Sequence, residues 1–298
     1  MNDRSHTEFL GSKYSENDLA PIAHRIRCDV LEMVATLGRG YLQQGLGAAD
    51  LLSVLFFEEL TLRVEDPGWE DRDRFVLSTA HNSAVFYATL AERGFFSKSE
   101  LKKYCQDGAP YEVLVSERVG PPVEATCGSL GQGLSVAVGM ALSARRKNKH
   151  LRVYVLMGDA EMQEGQVWEA AMAAASHALG NLCLIVDVNQ MQAEGPMENV
   201  INVGPVSEKW KAFGWNTQTV DGHDFGAIRG AFAQARNTKD GPSVILAATT
   251  VGKGVGFLEG DRCHNMYVTE EIAAKARVVL NDWSPSVRRG FFACSFAS

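Results

Sequence analysis

The feature that most constrains the fold is a set of short apolar runs, each followed directly by polar or small residues. Such runs occupy residues 74–78 (RFVLS), 152–157 (RVYVLM), 182–188 (LCLIVDV) and 243–250 (SVILAATT). Runs this short that are apolar throughout are typical of strands buried on both faces of a sheet. They predict a parallel sheet that is covered on both sides.

Segments with the apolar spacing of helices separate these strands. Helices are predicted at about residues 21–37, 48–60, 130–142 and 168–179. This alternation predicts an α/β fold with a doubly wound parallel sheet and helices on both faces. In such sheets a ligand binds outside the carboxyl ends of the strands, so the chemistry is expected in the loops that follow residues 78, 157, 188 and 250.

Composition and charge exclude several classes of function. The formal net charge is −7 and no long basic run is present, which disfavours nucleic-acid binding. No apolar run is long enough to span a membrane, and residues 1–18 lack the apolar core of a signal peptide. The six cysteines show neither zinc-site nor disulfide spacing. A reduced, cytoplasmic protein without nucleic-acid or membrane partners is expected.

Two polar residues at strand ends point to a metal site. Gly158-Asp159 follows the strand at 152–157, and Asn189 follows the next strand, thirty residues beyond Asp159. If the strands are neighbours, a carboxylate and an amide oxygen converge. Together with a backbone carbonyl near Met191, two diphosphate oxygens and a water, they would complete the octahedral oxygen shell of Mg²⁺. Taken singly, Asp159 also suits a helix N-cap and Asn189 a turn.

Five sequence blocks, in order, resemble transketolases. The segment 158–195 (GDAEMQEGQVWEA…LGNLCLIVDVNQMQAEG) resembles the thiamine-diphosphate signature. The other blocks are 71–78 with His81, 128–135 (GSLGQGLS), 220–224 (VDGHD), and 251–254 (VGKG) with His264. The resemblance runs from about residue 20 to 270. It implies a thiamine-diphosphate-binding fold and transfer of a two-carbon ketol unit between sugar-like carbonyl compounds.

The resemblance also implies roles for individual residues. Asp159, Asn189 and the Met191 carbonyl would be the ligands of Mg²⁺, or of Ca²⁺ or Mn²⁺ in its place. The residues expected to contact thiamine diphosphate are His81, Gly128, Leu130, Gly158, Asp159, Ala160, Glu164, Asn189 and His264. His81 and His264 are expected to act in catalysis. For these two histidines the alternatives are a capping loop and a surface loop, and for Glu164 a solvated helix face.

Transketolases carry a further domain that binds the aminopyrimidine and supplies the glutamate that activates the cofactor. We therefore divide the chain into an arm (1–18), a diphosphate- and metal-binding domain (19–275) and a short tail (276–298), which has no room for that domain. A separate pyrimidine-binding subunit is expected, in an α2β2 assembly, and the chain alone should be inactive. Phe291, Phe292 and Phe296 of the tail either dock on that partner or fray.

Two departures from the family concern the substrate. The usual Gly-His-Pro is here Gly40-Tyr41-Leu42, and the second such motif is absent from residues 109–115. Removing titratable polar groups changes which ligands a site accepts, so we expect a specialised enzyme, such as a biosynthetic one, with an altered donor or acceptor. Two alternatives stay open: a subunit of a 2-oxo-acid decarboxylating or acyloin-forming enzyme, and a non-catalytic scaffold.

Overall fold

A five-stranded parallel sheet forms the centre of the molecule. The computed structural model describes residues 14–260 and 264–283. The strands are β1 (Arg39–Gly40), β2 (Arg74–Leu77), β3 (Val153–Gly158), β4 (Leu182–Val188), β5 (Met191–Gln192), β6 (Gly195–Pro196), β7 (Asn216–Asp221), β8 (Ser243–Ala248) and β9 (Met266–Tyr267). The sheet has the order β2-β3-β4-β8-β7, while β1 pairs with β9 and β5 with β6 in small antiparallel ribbons.

Helices cover both faces of this sheet. They are α1 (Glu16–Leu37), α2 (Leu42–Val54), α3 (Ser83–Arg93), α4 (Gln132–Arg146), α5 (Gly165–Ser176), α6 (Val206–Ala212), α7 (Phe225–Asn237) and α8 (Glu270–Asn281). One apolar core joins α1, α2, α3, α7 and α8 to one face of the sheet. A second core joins α4, α5 and α6 to the other face. The predicted fold class, a parallel sheet with helices on both faces, is confirmed.

The register of the sheet brings the two metal-ligand candidates to one edge. Strands β3 and β4 are parallel neighbours, with Gly158 opposite Asp187. Strand β8 lies on the other side of β4 and pairs Ala248 with Val188. The loops after β3, β4 and β8 therefore leave the sheet side by side, as the prediction required of neighbouring strands.

Several element boundaries differ from the predicted ones. Strand β7 was not predicted, because it is a half-exposed edge strand with the polar sequence NTQTVD. Helix α2 begins at Leu42 rather than near residue 48, and a π-helical turn (Leu55–Glu59) continues it. Every residue of α2 is buried, so it lacks the amphipathic spacing that reveals a surface helix.

Helices also cross the predicted domain boundaries. Helix α1 begins at Glu16, before the predicted end of the arm at residue 18, and α8 runs through the boundary placed at 275/276. The cause is that buried residues continue along both helices, for example Ala276 and Leu280 in α8. Residues 1–13 of the predicted arm and 284–298 of the predicted tail, with Phe291, Phe292 and Phe296, lie outside the described residues. In the described ranges no helix has the length and apolar character needed to cross a membrane.

Candidate functional site

The loops after β3 and β4 meet at the carboxylate of Asp159. Its Oδ2 accepts a hydrogen bond from the Gln190 backbone N–H at 2.6 Å, and its Oδ1 accepts one from the Ala160 N–H at 2.9 Å. Gln190 reaches Asp159 with a left-handed backbone (φ 60°), a conformation that is costly for a residue with a side chain. Strain of this kind gathers at functional sites. Asp159 therefore joins two loops as well as starting the short 3₁₀ helix Asp159–Gln163.

Asn189 and Met191 lie on the same edge, beside a cavity. Asn189 Oδ1 accepts the Met191 N–H at 3.0 Å, which folds the loop back and leaves this oxygen a second lone pair. The cavity has a volume of about 440 Å³ and is lined by Asp159, Asn189 and Met191, together with residues of the loop after β8. We call these three residues and their surroundings the metal corner.

The donors of the metal corner fit a hard divalent cation. Asp159 is only 3% exposed, and burial, helped by the negative charge of Asp187, raises the pKa of Asp159 to about 7. A buried carboxylate with no cation beside it is unfavourable, and a bound cation would relieve that cost. Among the described residues, no group of three or more His, Cys, Asp or Glu side chains is arranged so that it could hold a metal ion. A metal here would bind through one carboxylate, an amide, a carbonyl and ligand oxygens, as Mg²⁺ does.

Glu161 ties three loops of the site together, and the sequence reasoning missed it. Its Oε2 accepts hydrogen bonds from the Ser78 hydroxyl and from the Gly131 N–H, each at 2.6 Å, and its Oε1 accepts the Gly158 N–H at 3.0 Å. The side chain is 2% exposed, and burial raises its pKa. One carboxylate thus links the ends of β2 and β3 to the loop before α4. Its position two residues after Asp159 was the only available signal.

The loop before α4 carries Gly128 and Leu130 beside this junction. Leu130 is 38% exposed, and its carbonyl accepts a hydrogen bond from the Gln166 side chain at 2.7 Å. A Cβ atom on Gly128 would lie 3.4 Å from Leu114, in ordinary contact. Glu164 is exposed and stands as the N-cap residue of α5. Neither Gly128, Leu130 nor Glu164 lines the metal-corner cavity.

A second group of side chains, which we call the histidine corner, consists of Tyr41, His81 and His264. The Tyr41 ring centroid lies 4.6 Å from that of His81 and 5.2 Å from that of His264, and the two imidazole centroids are 5.2 Å apart. Residues from three distant parts of the chain thus share one packed cluster. Tyr41 packs against both imidazoles, which also contact each other.

Burial keeps the imidazoles of the histidine corner uncharged. It lowers the pKa of His81 to about 4, with a further contribution from His264. It also lowers the pKa of His264, against a small opposing effect of Glu194. Both rings are therefore neutral near pH 7, and each can donate one hydrogen bond and accept one. The Gln44 amide lies 2.8 Å from His264 Nδ1 and is a further residue that the sequence reasoning missed.

A buried polar chain holds the loop after β8, which borders both corners. Arg27 forms two hydrogen bonds to Asp50, at 3.1 and 2.6 Å, and these hold the pKa of Asp50 well below its usual range despite burial. Asp50 Oδ2 lies 2.8 Å from His223 Nδ1, and His223 Nε2 accepts the Thr250 N–H at 2.9 Å. The Nδ1 proton of His223 therefore points to Asp50. These hydrogen bonds indicate that the VDGHD block supports the site.

The predicted site residues thus fall into two groups. The structure brings Asp159, Asn189 and Met191 together around one cavity, with Gly158 and Ala160 on the same loop. It brings His81 and His264 together at the histidine corner. These placements agree with the predicted set, but which of the residues touch a cofactor stays a prediction.

Comparison with protein families gives one match along nearly the whole described chain. The model of the transketolase thiamine diphosphate binding domain matches residues 20–286. This range contains every residue of both corners. It agrees with the resemblance drawn from the five sequence blocks.

Individual relatives and a solved structure agree with that match. A transketolase family protein of Sinorhizobium fredii is 44% identical over 85% of this chain and 92% of its own length. A 6-deoxy-6-sulfo-D-fructose transketolase subunit of Clostridium sp. is 39% identical over 86% of this chain and 93% of its own. The crystal structure of the transketolase from Campylobacter jejuni superposes with a TM-score of 0.82 at 32% identity, over 88% of this chain and 42% of that one.

Proposed function

Because the chain belongs to the transketolase family and carries its thiamine diphosphate binding domain, we propose that the metal corner holds Mg²⁺ and the diphosphate of that cofactor. The observation that carries the proposal is the oxygen set at the edge of the sheet, where Asp159, Asn189 and Met191 line one cavity. Their hard oxygen donors suit Mg²⁺, and Ca²⁺ or Mn²⁺ are alternatives. The chain is a diphosphate-binding subunit of a transketolase-like transferase.

The residues of the metal corner would bind and orient the cofactor. Asp159, Asn189 and the Met191 carbonyl would hold the metal, and Gly158 would admit the diphosphate because it has no side chain. A Cβ atom at position 158 would lie 3.2 Å from the Thr79 side chain, so a larger residue there would crowd the space beside Thr79. Glu161 would keep the loop before α4 and the end of β3 in fixed positions, so that Gly128 and Leu130 form one wall of the site.

The histidine corner would serve the transfer itself. Thiamine diphosphate, when bound, supplies the carbon atom that carries the transferred two-carbon unit. His81 and His264, both neutral at pH 7, would donate hydrogen bonds to oxygen atoms of cofactor or substrate and exchange protons with them. In the overall reaction a ketose gives up its two-carbon ketol unit and becomes an aldose two carbons shorter. An aldehyde acceptor gains that unit.

A second subunit would complete the active site. The similar Clostridium protein is itself named a transketolase subunit and has nearly the length of this chain, since the match covers 93% of it. The Campylobacter transketolase chain is much longer, because this chain covers 42% of it. We therefore propose a pyrimidine-binding partner in an α2β2 assembly in the cytoplasm, with residues 19–275 as the cofactor-binding domain.

The substrate would differ from that of ordinary transketolases. Tyr41 packs a phenol ring against both His81 and His264, at a position where transketolases usually have a histidine. The Clostridium relative is named a 6-deoxy-6-sulfo-D-fructose transketolase subunit, so one protein similar to this chain is named for a modified sugar. We therefore propose a ketose-type donor or an aldehyde acceptor of altered polarity.

Cofactor titration and activity assays test the proposal separately. Calorimetric titration of the purified chain with thiamine diphosphate should show binding in Mg²⁺ and none after chelation with EDTA. The chain alone should show no ketol transfer, and transfer should appear when a pyrimidine-binding subunit is added. Binding of thiamine diphosphate that does not depend on Mg²⁺ would contradict the metal site. Activity of the chain alone would contradict the need for a partner.

A further inference from the structure

Gln44 makes a direct contact with His264 that neither the family blocks nor the metal site explain. The two residues lie 220 positions apart in the chain, and the side-chain amide nitrogen of Gln44 lies 2.8 Å from His264 Nδ1. Gln44 belongs to α2, whose residues are all buried, and is itself 6% exposed. The contact is therefore between a fixed helical side chain and a ring of the histidine corner.

This contact has a consequence for the protons of His264. In the structure the amide nitrogen of Gln44, rather than its oxygen, faces Nδ1. Since an amide N–H group only donates, Nδ1 in this arrangement accepts with its lone pair and carries no hydrogen. The neutral ring then has its single proton on Nε2. The nitrogen opposite Gln44 is thereby a hydrogen-bond donor, and a ring protonated at both nitrogens would lose the bond to Gln44.

Within the described ranges, the other neighbours of His264 do not fix its proton in another way. Tyr41 contacts it edge-on, with an interplanar angle of 79°, and His81 packs against it at 58°. Glu194, which is exposed, is the charged group that acts on it through space. Gln44 is thus the hydrogen-bond partner that the structure gives this imidazole among the described residues.

We propose that Gln44 is a positioning residue that holds His264 as a neutral imidazole with its proton on Nε2. The ring then presents a hydrogen-bond donor to an oxygen acceptor of the ligand, such as a diphosphate oxygen or the carbonyl oxygen of a ketose. The role of this donor in transfer rests on the proposed function. The protonation state of the ring rests on the Gln44 contact alone.

Nitrogen NMR of the full chain tests the protonation state directly. In a sample labelled with ¹⁵N-histidine, the His264 resonances are assigned from their loss in a His264→Asn variant. The wild type should show the Nε2–H tautomer at pH 7, with a pKa below the ordinary histidine value. A wild-type ring with its proton on Nδ1 would overturn the proposal.

Two substitutions at Gln44 should move these resonances in different directions. Gln44→Glu replaces the donor with a carboxylate acceptor, so Nδ1 should gain a proton and the pKa of His264 should rise by about one unit or more. Gln44→Met keeps the size of the side chain but removes the donor, so the two tautomers should mix. Unchanged resonances in both variants would contradict the proposal.

Gln43 provides a matched control on the same helix. Its side-chain amide donates to the Leu258 carbonyl at 2.7 Å, so it anchors the segment that leads to His264 without touching the ring. Gln43→Met should leave the His264 tautomer unchanged. If it shifts the tautomer as Gln44→Met does, the effect belongs to the loop and the proposal fails.

Kinetics with the partner subunit separates this proposal from the proposed function. Gln44→Glu should move the acidic limb of the kcat/KM profile upward in pH, by the same shift as the His264 pKa. If the tautomer behaves as expected but kcat/KM keeps its pH profile, His264 is not used in transfer, and the functional part of the proposal is wrong. Cofactor titration tests the metal corner independently of either result.

Discussion

The metal corner and the histidine corner lie at the same edge of the sheet but are built in opposite ways. At the metal corner, Asp159 is held by backbone N–H groups from its own loop and the neighbouring one, and it carries a buried carboxylate. At the histidine corner, Tyr41, His81 and His264 meet through ring contacts, and burial keeps the imidazoles neutral. The buried carboxylate, held by a fixed backbone, suits a cation. The neutral rings of the histidine corner suit substrates, which differ from one enzyme to another.

This difference teaches where the protein can change and where it cannot. A buried carboxylate whose cation is lost leaves an uncompensated charge, which is among the most costly defects in a protein interior. A neutral ring in a packed cluster can be exchanged for another ring at a smaller cost. We therefore expect large effects at the metal corner and smaller, selective effects at the histidine corner.

The largest effect is expected when the metal corner loses its charge. Asp159→Asn should weaken Mg²⁺-dependent binding of thiamine diphosphate by at least about 100-fold, since even outer-shell partners of metal ligands are worth roughly ten- to 100-fold. Calorimetric titration measures it. Asp224→Asn is the control, because Asp224 caps α7 through the Ala227 N–H and lies away from the cavity. Equal affinities for Asp159→Asn and wild type would remove the basis of the comparison.

A second large effect is expected at Glu161, which links the loops next to the metal corner. Glu161→Ala removes the hydrogen-bond partner of the buried Gly131 N–H and of the partly buried Gly158 N–H, at about 1–3 kcal/mol each. The free energy of unfolding should fall by about 3 kcal/mol in denaturant titrations, with cofactor affinity falling in parallel.

Glu164 supplies the control for this measurement, because it is exposed and three residues away. Glu164→Ala should change the free energy of unfolding by less than about 0.5 kcal/mol, because the Glu164 side chain makes no capping hydrogen bond at the start of α5. If both variants lose the same stability, the junction at Glu161 has no special importance.

A smaller effect, visible only against pH, is expected at the histidine corner. The pKa of His81 is about 4 in the folded chain and lies near 6.5 in the unfolded one, so the unfolded state binds more protons between these values. The stability that His81 contributes is complete above pH 6.5 and falls as the pH drops towards 4, by about 3 kcal/mol in all. His81→Gln should flatten this part of the stability profile, whereas His177→Gln, on the surface, should not.

The smallest effect on the fold is expected at Tyr41, where the consequence should appear in selectivity. Tyr41→His should leave the free energy of unfolding within about 1.5 kcal/mol of the wild type, because Tyr41 is only partly buried and the substitution keeps a planar ring in its place. With the partner subunit present, kcat/KM for an ordinary ketose phosphate should rise by roughly ten-fold or more, as restored polar contacts allow. If the wild type already uses that substrate efficiently, Tyr41 does not set selectivity.

The sequence predicted the metal corner better than the histidine corner for a physical reason. Asp159 and Asn189 each follow an apolar strand, so their meeting depends only on the two strands being neighbours, which the alternating pattern implies. Glu161 and Gln44 were missed because their partners lie 83 and 220 positions away in the chain. A pattern of neighbouring residues cannot predict a contact between residues so far apart in the chain.

Exposure of the edge strand and complete burial of α2 account for the errors in the predicted fold. The four buried strands were predicted because burial on both faces gives each an unbroken apolar run. Strand β7 lies at the edge and is half exposed, so its residues alternate without a strong apolar signal. The start of α2 was placed too late because a fully buried helix has no polar face to mark its period.

One close contact beneath the site has a consequence for how variation in this family should be interpreted. A Cβ atom on Gly133 would lie 2.6 Å from the Cβ of Ser78, so the first turn of α4 rests directly on the end of β2. Any larger residue at position 133 would push apart the loops that Glu161 joins. In a saturation mutagenesis screen for activity, position 133 should therefore be as intolerant as Asp159, although neither Gly133 nor Ser78 lines the metal-corner cavity.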